Sequence, residues 1–223
     1  MHIHILGICG TFMGGVAQLA CEAGHKVTGC DAHVYPPMSD ALRNAGIEIM
    51  EGYDVSQLDA VRPDVFVIGN AISRGNPLLE AILNRGLSYT SGPAWLCEHV
   101  LAGRHVLAVA GTHGKTTTTT MAAWFNRVAG GGGSAFLGGI SKNFGSNLVL
   151  GSGPRLVVEA DEFDRSFLQL HPDAAVVTAA DADHLDIYGT HEAVKEAFAQ
   201  FVAQIRPGGA LIVKRGVELD LRN

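Results

Sequence analysis

One stretch, Ala108 to Ala122, constrains the fold more than any other part of the 223-residue chain. It reads Ala-Val-Ala-Gly-Thr-His-Gly-Lys-Thr-Thr-Thr-Thr-Thr-Met-Ala and completes the apolar run Arg104-His-Val-Leu-Ala-Val-Ala110. A short apolar run that stops at glycine reads as a buried parallel strand; Gly111 to Gly114 then turn the chain, and Lys115-Thr116 opens a helix. The same turn is a phosphate cradle. The backbone N–H groups of Gly111, Thr112, His113 and Gly114 can point at an anion, and the helix amino end adds its positive dipole. Lys115 supplies a full charge for terminal phosphates, and Thr116, followed by Thr117, can offer a hydroxyl to phosphate-bound Mg²⁺. Val109 stands where the general phosphate-loop pattern has its first glycine, so the stretch is the shorter variant Gly-Thr-x-Gly-Lys-Thr-Thr. A glycine turn without a ligand would leave Lys115 pointing at nothing.

Composition narrows the class. With 47% hydrophobic and 17% charged residues the chain is globular rather than disordered, and long enough for one large or two modest domains. A formal charge of -6 provides no basic footprint for nucleic acid, so a polyanion has to be bound locally. Cys9, Cys21, Cys30 and Cys97 lack C-x-x-C pairing and zinc spacing, which reads as reduced thiols rather than a disulfide framework. The start, Met-His-Ile-His-Ile-Leu-Gly, has no basic n-region, and no run approaches the ~18 apolar residues of a membrane span. The expectation is a soluble, cytoplasmic protein.

The first half alternates strands and helices. His2 to Ile8 is a strand ending in the glycine turn Gly7 to Gly15, and Val16 to Ala23 has helical character. Lys26 to Cys30 is a second strand and ends in Asp31, 21 residues beyond Gly10, the layout of a dinucleotide-binding βαβ unit. Cys9 and Phe12 occupy the second and third glycine places of G-x-G-x-x-G, which favours a nucleotide diphosphate other than NAD and leaves an NAD-dependent oxidoreductase as the weaker alternative. Further units follow as Ser39 to Ala45, Ile47 to Met50, Asp64 to Gly69, Pro77 to Arg85 and Leu87 to Thr90. This alternation predicts a doubly wound parallel sheet that binds ligands at the carboxyl ends of its strands. Those ends carry Gly7, Gly10, Thr11, Gly14 and Asp31, and then Asn70, Ser73 and Arg74, which suit a sugar or phosphate and equally a solvated loop. A helix over Ala94 to Leu101 leads into the next strand, and the domain boundary is placed near residue 100.

In the second half, a helix from Lys115 to about Val128 precedes Gly130-Gly-Gly-Gly-Ser134, a run of linker type. Phe136 to Ile140 and Phe144 to Asn147 read as a strand end and a polar turn. Arg155 to Ala160 is a buried strand that delivers Glu159, Asp161, Glu162 and Asp164, and Ala174 to Thr178 is a strand running into Asp181 to Tyr188. A helix over His191 to Ile205 and a strand over Gly209 to Val213 close the chain. Carboxylates at strand ends beside a phosphate loop suit Mg²⁺, a hard cation that needs one or two of them plus phosphates. Helix capping is the other reading of Asp164 or Asp186. His184 is structural by itself, and a metal ligand if it stands opposite Glu159.

Gly111-Thr-His-Gly-Lys-Thr-Thr117, Glu159-Ala-Asp-Glu162 and Asp183-His184, in that order, resemble the ATP-dependent Mur ligases of bacterial peptidoglycan synthesis. The resemblance implies a Rossmann-like domain over 1–99 for the UDP part of UDP-N-acetylmuramate and a central ATP-binding domain of phosphate-loop type over 100–223. It implies that Lys115 contacts ATP, that Thr116 and Glu159 ligate Mg²⁺, that His184 ligates a second Mg²⁺, and that the Gly7 to Gly15 turn faces the UDP diphosphate. Lys115, Glu159 and His184 are thereby the catalytic candidates. The first half, with Gly69-Asn-Ala71 and Arg74-Gly-Asn-Pro77, is similar to the branch that joins the tripeptide L-Ala-γ-D-Glu-meso-diaminopimelate. The second half, with Glu159 to Leu168 and Asp181 to Gly189, is similar to the branch that joins L-alanine. Ala179 departs from the Asn found in many members. The chain ends at Asn223, about where the central domain would finish, so the third domain, which takes the amine, is expected to be absent.

Overall fold

The computed structural model describes residues 1–219, the side chain of Asp164 excepted. The chain divides into two compact units, Met1–Val100 and Leu101 onward. The first unit runs β1 (His2–Leu6), α1 (Thr11–Glu22), β2 (Lys26–Asp31), α2 (Met38–Asn44), β3 (Glu48–Glu51), α3 (Gln57–Val61), β4 (Val65–Ile68), α4 (Pro77–Asn84), β5 (Tyr89–Ser91) and α5 (Gly92–Leu96), followed by a π-helical turn, Cys97–Leu101. The second runs β6 (His105–Ala110), α6 (Lys115–Val128), β7 (Ser134–Ser141), β8 (Ser146–Val149), β9 (Arg155–Ala160), a 3₁₀ segment Phe163–Gln169, β10 (Ala174–Val177), α7 (Leu185–Tyr188), α8 (His191–Ala203) and β11 (Ala210–Val213).

The first sheet has the order β3-β2-β1-β4-β5, every neighbouring pair parallel. The buried positions of β1, β2 and β4 are mostly apolar, as a sheet covered by helices requires, with His4 and Thr28 as buried polar exceptions. Leu6, Cys30 and Phe66 from the strands pack with Leu58 from α3 and Leu78, Leu79 and Ile82 from α4. The chain reverses direction across the sheet between β1 and β4, so the loops after these strands meet at the switch point where such sheets bind ligands. Gly69 N–H donates to the Leu6 carbonyl at 3.0 Å there. Helix α1 begins at Thr11, earlier than the predicted Val16, and passes through two glycines. Close packing outweighs their low helix propensity, since Met38 lies directly against Gly14.

The second sheet has the order β11-β10-β6-β9-β7-β8, parallel except for the antiparallel pair β7–β8. That hairpin differs from the strand end and polar turn expected over Phe136 to Ile140 and Phe144 to Asn147. Glycine-rich strands carry little β signal, and a register shift between Phe136 and Ser141 further blurs the alternation. The glycine run also differs from its linker-like reading. Gly153 N–H donates to the Gly132 carbonyl at 2.7 Å, Gly131 N–H to the Asn126 carbonyl at 2.8 Å, and Ser134 is buried in β7. The run is a packed turn in which side chains would collide with Asn126 and Arg155. Among the described residues no helix is long and apolar enough to cross a membrane, and all four cysteines are free thiols.

Candidate functional site

The second sheet brings three strand ends together, because β6 lies between β10 and β9. The loop after β6 leads into α6 with Gly114 as N-cap; the cap has no side-chain hydrogen bond, and the first turn holds no acidic residue. The positive end of the helix dipole is therefore left for an external anion. The loop is stapled to the end of β10. Thr112 N–H donates to the Ala179 carbonyl at 3.2 Å, Asp181 N–H donates to Thr112 Oγ1 at 3.1 Å, and the Thr178 hydroxyl reaches the carbonyls of Ala110 and His113. Gly111, at φ +140°, leaves no room for a Cβ against Thr178. His113 is exposed, with Nε2 3.8 Å from Asp181. Ala179, the departure noted in the sequence, contributes its carbonyl to this staple.

Lys115 is held between two carboxylates. Its Nζ donates to both oxygens of Glu162, at 2.9 and 2.8 Å, and lies 3.3 Å from Asp161 Oδ1. Burial works against the ammonium, but the hydrogen bond and charge of Glu162, with the charge of Asp161, outweigh it and raise the Lys115 pKa. Burial pushes the Glu162 carboxyl above its ordinary range, against the opposing pull of Lys115. Glu159, three residues before Glu162 and still within β9, faces α6. Its Oε1 accepts from the Thr116 hydroxyl at 2.9 Å and its Oε2 from Gly138 N–H at 2.7 Å. A Cβ at position 138 would occupy the place of that carboxylate, which explains glycine in β7 there.

His184 opens α7 in a left-handed conformation, φ 51°. Its ring lies 3.8 Å from Glu162 Oε1 and edge-on to Phe163, 5.3 Å between centroids. Glu162, Asp183 and His184 can each offer a ligand atom, and these atoms lie within 4.8 Å of one another. The structure thus pairs Thr116 with Glu159 and places His184 beside Glu162 and Asp183. Both donor groups are rich in hard oxygen, as Mg²⁺ prefers, and the Thr116–Glu159 pair lies at the amino end of α6, where phosphate oxygens could complete a coordination shell. The residues fit the cation. Glu159 and His184 are singled out by the family resemblance, whereas the part of Glu162 is not, because spacing alone does not tell which of several neighbouring carboxylates is buried. Thr178 is expected only as the end of a strand, and nothing in the sequence points to the contacts of its hydroxyl.

Two cavities lie in this unit. One, of about 380 Å³, lies between α6 and the β7–β8 turn and is lined by Thr116, Thr117, Trp124, Ile140, Lys142 and Asn143. The other, of about 300 Å³, lies at the ends of β10 and β11 and is lined by Asp181, His191, Lys195, Lys214 and Arg215.

In the first unit, the amides of the turn after β1 face inward. Gly7 and Ile8 N–H donate to the Cys30 carbonyl at 2.8 and 3.2 Å, and Gly10 N–H donates to the Gly7 carbonyl at 3.2 Å. Asp31 accepts from Cys9 N–H at 2.9 Å and His33 N–H at 3.1 Å, buckling this turn to the end of β2. What remains for an anion is the amino end of α1, where Thr11 opens the helix, Gly14 N–H donates to Gly10, and the first turn holds no acid. Across the switch point Asn70 and Ser73 are exposed, and Arg74 makes a two-point contact with Glu80 at 2.7 and 3.0 Å.

Residues 2–104 match the family model described as Mur ligase family, catalytic domain, and residues 109–220 match that of the Mur ligase middle domain. The chain is 46% identical over 218 residues to the UDP-N-acetylmuramate–L-alanyl-gamma-D-glutamyl-meso-2,6-diaminoheptandioate ligase of Haemophilus influenzae, covering 95% of this chain and 48% of that protein. It is 40% identical over 213 residues to the UDP-N-acetylmuramate–L-alanine ligase of Rubrobacter xylanophilus, covering 96% and 47%. The crystal structure of UDP-N-acetylmuramate:L-alanyl-gamma-D-glutamyl-meso-diaminopimelate ligase from Neisseria meningitides superposes with a TM-score of 0.92 at 44% identity, over 97% of this chain and 72% of that one. The chain spans about half the length of the curated relatives it matches.

Proposed function

The chain belongs to the Mur ligase family, and on that premise we propose that it carries the nucleotide-sugar and ATP units of an ATP-dependent ligase acting on UDP-N-acetylmuramate. The observation that carries this reading is the junction of β6 and α6. A lysine ammonium, a helix end with no side-chain cap and no acidic residue in its first turn, and the Thr116–Glu159 pair meet there, beside a cavity lined by Thr116 and Thr117.

A carboxylate is a poor electrophile and must be activated before an amine can displace oxygen from it. The lactyl carboxylate attacks the γ-phosphorus of ATP, the bond to the β,γ-bridging oxygen breaks, and ADP leaves an acyl phosphate. The amine then attacks the acyl carbon, loses a proton, and phosphate departs. Lys115 and the amino end of α6 stabilise negative charge on the transferring phosphoryl group. Gly111, Thr112, His113, Gly114 and Thr117 line its cradle. Thr116 and Glu159 would hold one Mg²⁺, and His184, with Glu162 and Asp183 beside it, a second. Bound there, the cation supplies charge neutralisation on phosphate oxygens. In the first unit the amino end of α1 receives the UDP diphosphate, with Gly7, Gly10, Thr11 and Gly14 shaping the turn, Asp31 holding it closed, and Asn70, Ser73 and Arg74 facing the nucleotide sugar.

The amine is the tripeptide. What supports this choice is the higher identity to the tripeptide ligase than to the L-alanine ligase across nearly the whole chain, 46% against 40%; L-alanine is the second reading. ADP release with ATP and UDP-N-acetylmuramate, measured with each amine in turn, tests both. Stimulation by the tripeptide supports the proposal, and stimulation by L-alanine alone transfers it to the other branch. Calorimetric binding of UDP-N-acetylmuramate without ADP release would make the chain a binding portion that turns nothing over, and no binding would overturn the assignment.

A further inference from the structure

Two adjacent carboxylates meet the Lys115 ammonium in different settings. The Glu162 side chain is 1% exposed and that of Asp161 is 54% exposed. An ammonium has three protons. Glu162 takes two through a two-point contact at 2.9 and 2.8 Å, which leaves one toward Asp161 at 3.3 Å. Burying a carboxylate beside a phosphate site is costly and repels the ligand unless the carboxylate has a fixed partner. Here the backbone is fixed as well. The Glu162 carbonyl accepts from the Tyr188 hydroxyl and from Arg165 N–H at 3.0 Å, and the Asp161 carbonyl accepts from Phe167 N–H at 3.1 Å and from the Ser166 hydroxyl at 3.0 Å. Arg165, itself left-handed at φ 62°, stacks its guanidinium over the Tyr188 ring at 5.4 Å. Glu162 is built in; the Asp161 carboxylate faces solvent.

We infer that Glu162 is a positioning residue, holding two of the three Lys115 protons with and without nucleotide, while Asp161 holds the third only until a phosphate oxygen replaces it. The inference rests on the reading of Lys115 as a phosphate ligand. It predicts opposite signs for neighbouring acids. General electrostatics alone would make removal of either negative charge tighten an anion.

Calorimetric titration of the chain with ATP in the presence of Mg²⁺, and separately with AMP, tests this. Asp161→Asn should tighten ATP about threefold, whereas Glu162→Gln should weaken it about tenfold, leave AMP within about twofold, and be partly rescued by Glu162→Asp. AMP serves as the control because it has no terminal phosphates for Lys115 to meet. Tighter ATP binding by Glu162→Gln, or equal losses of ATP and AMP together with a lowered melting temperature, would overturn the positioning role. Lys115→Ala separates the two levels: if it binds ATP like wild type, the phosphate-ligand reading itself fails, whatever Glu162 does.

Discussion

Glu159 links two elements through its two oxygens, one on the Thr116 hydroxyl of α6 and one on Gly138 N–H of β7. A glutamine keeps that shape but loses the charge a cation needs. Glu159→Gln should therefore raise the Mg²⁺ concentration that half-supports ATP binding by about tenfold or more while leaving the melting temperature within a few degrees, read by magnesium titration and thermal melts. His4 shows the opposite kind of residue, chemically able but structurally employed. It is fully buried, its Nδ1 lies 2.9 Å from Thr28 Oγ1, and burial, helped by the charge of His2, lowers its pKa to about 4. Its unfolded form, with a pKa of about 6.5, takes up a proton first as pH falls, so stability is complete above about 6.5 and is lost between there and about 4. The loss by pH 4.5 should be about 2–3 kcal/mol in urea unfolding, and smaller in His4→Leu. Lys115 and Thr116 stand out in the sequence because their spacing after a glycine turn is chemically specific, and Glu159 because it belongs to a carboxylate cluster at a strand end. The part of Glu162 does not, since which of several neighbouring carboxylates is buried depends on tertiary packing that spacing does not reveal.

At the scale of elements, the phosphate loop is not a free-standing turn. Its conformation is tied to the end of β10 through Thr112, Thr178 and Ala179, and that same strand leads to Asp183 and His184. Thr178→Val removes the hydroxyl that reaches the Ala110 and His113 carbonyls and should cost about 1–2 kcal/mol in denaturant unfolding, with ATP affinity falling severalfold. A stability loss without any change in affinity would mean that the loop holds its shape without the staple. The alternating strands and helices of both sheets could be read from apolar runs and glycine punctuation, and the helix from Lys115 to Val128 begins and ends where its pattern does. The β7–β8 hairpin could not, because the glycines that make room for Glu159 erase the alternation that marks a strand. The single turns α3 and α7 are too short to establish a period. The packed glycine run after α6 looked like a tether because composition says nothing about the Asn126 and Arg155 backbones it must pass.

Each unit has a helix with no side-chain cap at its amino end and no acidic residue in its first turn, α1 in the first and α6 in the second, each opening after a parallel strand of its sheet. Two such ends suit a reaction whose substrates are both phosphorylated nucleotides, one carrying the carboxylate and the other the phosphoryl group. Everything in that account depends on the loop at Gly111 to Thr117 receiving the triphosphate of ATP. The direct measurement is calorimetric titration of the chain with ATP and Mg²⁺, for wild type and Lys115→Ala side by side. The account predicts one site per chain in the wild type and an affinity at least about a hundredfold weaker in the variant. Equal affinities, or a wild type that takes up no ATP, would contradict it.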